Sequence, residues 1–114
     1  MLEVHFESSH VRPTGVLVIS GRLDRDSAHE LRGRVDGLVG EGWHQLVVDL
    51  HAVPFADCSG LGALVGALRA TRRVGGDCRL ASSGPQVRDL LQASTLDRVM
   101  AHHATVEDAL AEYL

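Results

Sequence analysis

The chain opens on an alternation. Leu2, Val4 and Phe6 are separated by Glu3, His5 and Glu7, the period-two pattern of a strand with one buried face. Pro13-Thr14-Gly15 reads as a turn, and Val16-Leu17-Val18-Ile19 as a second strand buried on both faces. The two are expected to pair antiparallel, across a connection around residues 8–12 that is longer than a tight hairpin needs. Gly21-Arg22-Leu23-Asp24 then leads to a helix. Ser27 with Glu30 has the spacing of a capping box, Leu31, Val35 and Leu38 follow at helical spacing, and Gly40 and Gly42 close the helix. Gly33 and Gly37 each weaken it by about 1 kcal/mol relative to Ala and would permit close packing. Trp43, the single Trp, is expected to cover the helix end rather than stack on a ligand.

Leu46-Val47-Val48-Asp49-Leu50 is an apolar run suited to the centre of the sheet. Beyond it, Leu61, Leu64, Val65 and Leu68 fall at i, i+3, i+4 and i+7, the buried stripe of a helix beginning near Ser59. Gly62, Ala63, Gly66 and Ala67 lie between them and would let this helix sit close to its neighbours. Gly75-Gly76 ends it, and Cys78-Arg79-Leu80-Ala81 reads as a fourth strand. Ser83-Gly84-Pro85 starts a helix with Pro at its first position and with Val87, Leu90 and Leu91 as its apolar face. Residues 96–100 are assigned to a fifth strand. Thr105 and Asp108 cap a last helix whose face is Val106, Ala109, Leu110 and Tyr113.

The order is β, β, α, β, α, β, α, β, α. Strands alternating with helices predict parallel pairing and right-handed crossovers after the antiparallel opening pair. The expectation is one α/β domain over residues 1–114, a mixed sheet of about five strands packed with about four helices. In such a fold the functional loops lie at the carboxyl ends of the parallel strands.

Composition narrows the function. Apolar residues make up 45% of the 114, so a folded globule is expected. No run is long enough to span a membrane, and the first residues lack a basic region followed by an apolar stretch, which predicts a soluble, cytoplasmic protein. A net charge of -4 argues against a nucleic-acid partner. The 11 basic residues are all Arg, and Arg69, Arg72 and Arg73 form their one cluster, read as a solvated helix face. Seven scattered His and two Cys give no metal-ligand spacing, so neither metal nor cofactor is expected. Cys58 follows one strand and Cys78 opens the next at its other end. Their Cα atoms should therefore lie well beyond the roughly 7 Å over which a disulfide closes.

The candidate chemistry gathers in Val53-Pro54-Phe55-Ala56-Asp57-Cys58-Ser59-Gly60-Leu61-Gly62, where a strand hands over to a helix. Free helical N–H groups at such a junction suit an anion, a regulated side chain or a partner. Gly60-x-Gly62-x-x-x-Gly66 does not have the dinucleotide-binding spacing, and no nucleophile-elbow or P-loop pattern occurs. Asp57 and Ser59 read first as helix caps. Cys58 reads first as a buried or half-buried small hydrophobe, because Asp57 beside it opposes a thiolate and no His is placed as its base. With no convergent acid, base and nucleophile, an enzyme is not expected.

Residues 49–62 (Asp49-Leu50-His51-Ala52, then the junction) resemble the D-L-x-x-V-x-F-x-D-S-S/T-G-L-G signature of STAS domains of the anti-sigma factor antagonist type. Gly21-Arg22-Leu23-Asp24 resembles their G-x-L-D turn, and the β/α order matches their fold. The resemblance implies that the protein binds an anti-sigma factor, often a serine kinase, and so frees a sigma factor for transcription. It implies partner-binding roles for Asp24, Asp57, Cys58, Ser59, Gly60 and Leu61, in a monomer or a hetero-complex. Cys58 stands at the position where the family is phosphorylated, and Ser59 is the alternative acceptor. A phosphate there would add about two negative charges to the docking face and release the partner.

Three readings follow. In the preferred one, a binding module of the antagonist type cannot be switched off by phosphate at Cys58. In the second, oxidation of Cys58 supplies the charge that phosphate supplies elsewhere. In the third, the domain is a structural subunit of a larger assembly, stressosome-like or part of a lipid-transport ATPase.

Overall fold

The computed structural model describes residues 2–9 and 13–113. Five strands, β1 (Glu3–Ser8), β2 (Thr14–Ser20), β3 (Gln45–Ala52), β4 (Asp77–Ala81) and β5 (His102–His103), form one sheet in sequential order. The first pair is antiparallel, with Val4 opposite Ile19, and every later pair is parallel. β3 is the central strand. The expected long connection between the first two strands runs through residues 10–12, outside the described residues.

The helices are α1 (Arg25–Gly40), α2 (Cys58–Arg72), α3 (Pro85–Ala93) and α4 (Val106–Ala111). Because β2 to β5 advance in one direction, right-handed crossovers lay α1, α2 and α3 on the same face of the sheet. There Leu31, Val35, Leu64, Leu68, Val87 and Leu91 pack against Leu17, Ile19, Leu46, Val48 and Leu80. The alternate strand positions Val16, Val47 and Ala81 face the other way and are covered by Ala109 of α4 with Val106, Leu110 and Tyr113. The Tyr113 hydroxyl donates to the Leu46 carbonyl at 3.0 Å.

Two local expectations are corrected. The helix predicted from Ser27 and Glu30 starts earlier, with Asp24 as its N-cap. The Asp24 carboxylate accepts from the Ser27 N–H, and the Ser27 hydroxyl accepts from the Asp24 N–H at 2.9 Å, so the capping box is Asp24–Ser27. The fifth strand is not at 96–100. Leu96–Arg98 is a 3-10 turn whose buried Leu96, with buried Met100, joins the main core. The strand itself is two histidines that extend the sheet beside β4. Nothing approaches the Cβ positions of Gly33 and Gly37, so they serve no close packing. Trp43 sets its ring edge-on to Phe6, centroids 5.0 Å apart, just past the end of α1.

Cys78 is fully buried in the main core, and burial pushes its thiol up from 9.0 to about 12. Burial raises the Tyr113 phenol as well. Between pH 9 and 12 the unfolded chain gives up the Cys78 proton while the folded chain keeps it. Stability is therefore full below the unfolded value and falls as pH rises, at about 1.4 kcal/mol per pH unit from Cys78 alone. Urea unfolding at about pH 8 and about pH 11 is expected to show this loss, and Cys78→Ala to reduce it.

Candidate functional site

Two loops at the carboxyl ends of β2 and β3 meet through the backbone of Leu23. The Gly21 N–H donates to Ala52 (3.0 Å), the Leu23 N–H to Phe55 (2.9 Å), and the Asp57 N–H to Leu23 (3.2 Å). This carries the parallel pairing of β2 and β3 past the sheet edge, with Leu23 opposite Ala56. Gly60, in the first turn of α2, lies directly under the Leu23 carbonyl. A Cβ at position 60 would collide with the Leu23 carbonyl oxygen and would lie 2.8 Å from Leu23 Cγ. Only a residue without a side chain lets α2 begin here.

Each helix start has its own acid. The Asp57 carboxylate accepts from the Gly60 N–H at 3.0 Å and caps α2. Asp24 caps α1, and the Ser27 backbone N–H bound to it holds its carboxyl below the usual range. Both acids lie at helix N-termini, where negative charge is favoured. Arg22 places its guanidinium 4.2 Å from the centre of the Phe55 ring.

The sequence-predicted residues divide by exposure. Cys58 is exposed, which corrects the expectation of a buried or half-buried thiol. Asp24, Asp57 and Ser59 are half-buried, whereas Gly60 and Leu61 are buried, Leu61 as part of the main core. Asp57 takes the capping bond, and neither Ser59 nor Cys58 makes a side-chain hydrogen bond among the described residues. Cys58 and Cys78 are both free thiols. Among the described residues no group of three His, Cys, Asp or Glu side chains is placed to hold a metal ion.

Sequence reasoning missed Gln86. From the second position of α3 its side-chain carbonyl accepts from the Ala56 N–H and its amide donates to the Ala56 carbonyl, both at 2.9 Å. Ala56 is buried, so these bonds satisfy both of its backbone groups and tie the junction to the loop after β4. Local pattern does not reveal a partner thirty positions away. The one available signal was topological, since this loop also leaves the carboxyl end of a parallel strand.

The sequence profile of the STAS domain family matches residues 5–109, and the chain belongs to that family. It is 27% identical over 112 residues to the anti-sigma F factor antagonist of Paenibacillus polymyxa, covering 97% of this chain and 96% of the relative. It superposes on the anti-sigma factor antagonist SpoIIAA in its unphosphorylated form with a TM-score of 0.82, at 26% identity over 97% of this chain and 96% of that one. Bacillus SpoIIAA in its phosphorylated form superposes with a TM-score of 0.75, at 25% identity, covering 98% of this chain and 100% of that one. No helix among the described residues is long and apolar enough to cross a membrane.

Two glycines of α2 make a paired test. Gly66→Ala meets only Arg32 Nε at 3.9 Å and should stabilise by about 1 kcal/mol through helix propensity. Gly60→Ala should destabilise despite the same propensity gain, because the Leu23 backbone must move. Denaturant midpoints of the two variants are expected to shift in opposite directions. Gln86→Ala leaves a buried N–H and C=O without partners and should lose about 1–3 kcal/mol. Amide exchange at Ala56 and Asp57 should accelerate more than exchange in β3.

Proposed function

We propose that this protein is an anti-sigma factor antagonist that binds an anti-sigma factor of the serine-kinase type and so frees a sigma factor for transcription. The carrying observation is the junction itself. Two acid-capped helix starts are locked together by the Leu23–Gly60 approach, with the Cys58 side chain exposed on their rim. Asp24, Asp57, Cys58 and Ser59 offer contact atoms to the partner, and Gly60 and Leu61 fix the face from beneath. Relatives that match almost the whole chain carry the antagonist name, which supports the same reading.

Cys58 occupies the phospho-acceptor position in this proposal. A serine kinase transfers phosphate to a hydroxyl, so the thiol keeps the face from gaining about two negative charges. Opposing or desolvating such a charge at an interface costs several kcal/mol, and every 1.4 kcal/mol is tenfold in affinity. The antagonist thus stays competent to bind while its kinase is active. Ser59, half-buried at the next position, is the remaining hydroxyl on the rim. The proposed setting is the cytoplasm, with the chain monomeric or in a hetero-complex with its partner.

The test is incubation of the protein with its cognate anti-sigma kinase and ATP, followed by binding measurement and phosphosite mapping. The wild type should bind and carry no phosphate at Cys58. Cys58→Ser should accept phosphate and then bind at least about tenfold more weakly. Phosphate on Ser59 of the wild type together with release would overturn the role given to Cys58. Failure of both forms to bind would overturn the antagonist reading.

A further inference from the structure

Away from the junction, α1 and α2 leave an open groove of about 520 Å³ between them. Its floor is the side-chain-free backbone at Gly62 and Gly66, with Val35, Val65 and Ala70 adding apolar surface. Arg32 enters from α1, and Arg69 and Arg73 rise from the far end of α2. Arg32 Nη2 lies 3.2 Å from where a Cβ at Gly62 would stand, so its guanidinium reaches across the groove. Asp36 is the one acid in the lining.

The three guanidiniums make no hydrogen bond or ion pair among the described residues. Arg72, one step round the helix, does: it lies 3.5 Å from Asp77 and donates to the Val99 carbonyl at 3.2 Å. Cations near a helix C-terminus are favoured by its dipole, which accounts for Arg69. It does not account for Arg32, which comes from the middle of α1. Arg69 and Arg73 also repel each other at i, i+4. In a chain of net charge -4, three unpaired guanidiniums around an apolar floor form a distinctive surface.

We propose that the α1–α2 groove is a second docking surface, for an acidic amphipathic helix of a partner protein. Carboxylates on that helix meet Arg32, Arg69 and Arg73, whose planar guanidiniums suit bidentate pairing. Its apolar side chains rest on Val35, Val65 and Ala70, beside the Arg32 guanidinium that lies over Gly62 and Gly66. A simple anion would use the arginines and leave the apolar floor without a role. The proposal stands independently of the antagonist reading, because none of Asp24, Asp57, Cys58, Ser59, Gly60 and Leu61 lines the groove.

The test uses a fluorescent peptide of about three helical turns, with leucines on one face and glutamates on the other. Companion peptides replace Glu by Gln or Leu by Ser, and inorganic polyphosphate serves as competitor. Wild-type protein should bind the parent peptide, less tightly as salt rises. Arg69→Glu combined with Arg73→Glu should weaken binding at least about tenfold. Gly66→Leu should block the groove sterically while circular dichroism shows the fold retained. Both companion peptides should bind at least about tenfold more weakly than the parent. No binding of the parent peptide, or unchanged affinity in both protein variants, would overturn the proposal. So would a Leu→Ser peptide that binds as well as the parent and is displaced by polyphosphate, since that marks a bare anion site. Self-association of the wild type that the arginine variant abolishes would assign the groove to a second copy of this chain and overturn it as well.

Discussion

The Leu23 carbonyl is the point at which three parts of the molecule meet. It accepts from the Asp57 N–H, it lies over Gly60, and the N–H of the same residue donates to the Phe55 carbonyl. Two helix N-termini brought this close would place two positive dipole ends and several free N–H groups side by side. Asp24 and Asp57 resolve both problems, since each accepts a backbone bond and brings a negative charge. The starts of α1 and α2 therefore move as one body. A partner that touches either one contacts a unit whose geometry the other helps to set.

The junction signature carries folding information of its own. Its residues separate into those that face solvent, such as Cys58, and those that make the turn sterically feasible, such as Gly60 and Leu61. Gln86 belongs to the second group from outside the signature, gripping Ala56 through both backbone groups. Without such support the loop would leave buried polar backbone unpaired.

Most of the architecture was legible because pattern and structure share a period. Alternation marked β1, a continuous apolar run marked the central strand, and the Leu61–Leu68 stripe marked α2. The errors arose where two local rules competed. Ser27–Glu30 satisfies a capping pattern, but Asp24–Ser27 satisfies one a turn earlier and also caps the residues nearest the Leu23 contact. At 96–100 the apolar residues were read as a strand, although Leu96 and Met100 are spaced as a turn of helix would space them. The true fifth strand is invisible to hydrophobic pattern, since it is two histidines held by pairing with β4. The exposure of Cys58 follows from its place on the first turn of α2, which neither its apolar character nor its acidic neighbour reveals.

The one-sided run of crossovers divides the molecule energetically. Three helices cover the face that carries the junction, while the opposite face has only α4, six residues with Ala109 as its one fully buried member. Elements with few buried contacts open at lower free energy than the core. The Tyr113 bond to Leu46 and the small cluster around Val47 are what hold α4 closed. Transient opening of this end exposes the back of the sheet and leaves the Leu23–Gly60 approach untouched. Thermal breathing at α4 thus falls on the side of the sheet opposite α1, α2 and α3, so this short helix can open without disturbing the geometry in which Asp24, Asp57 and Cys58 are presented.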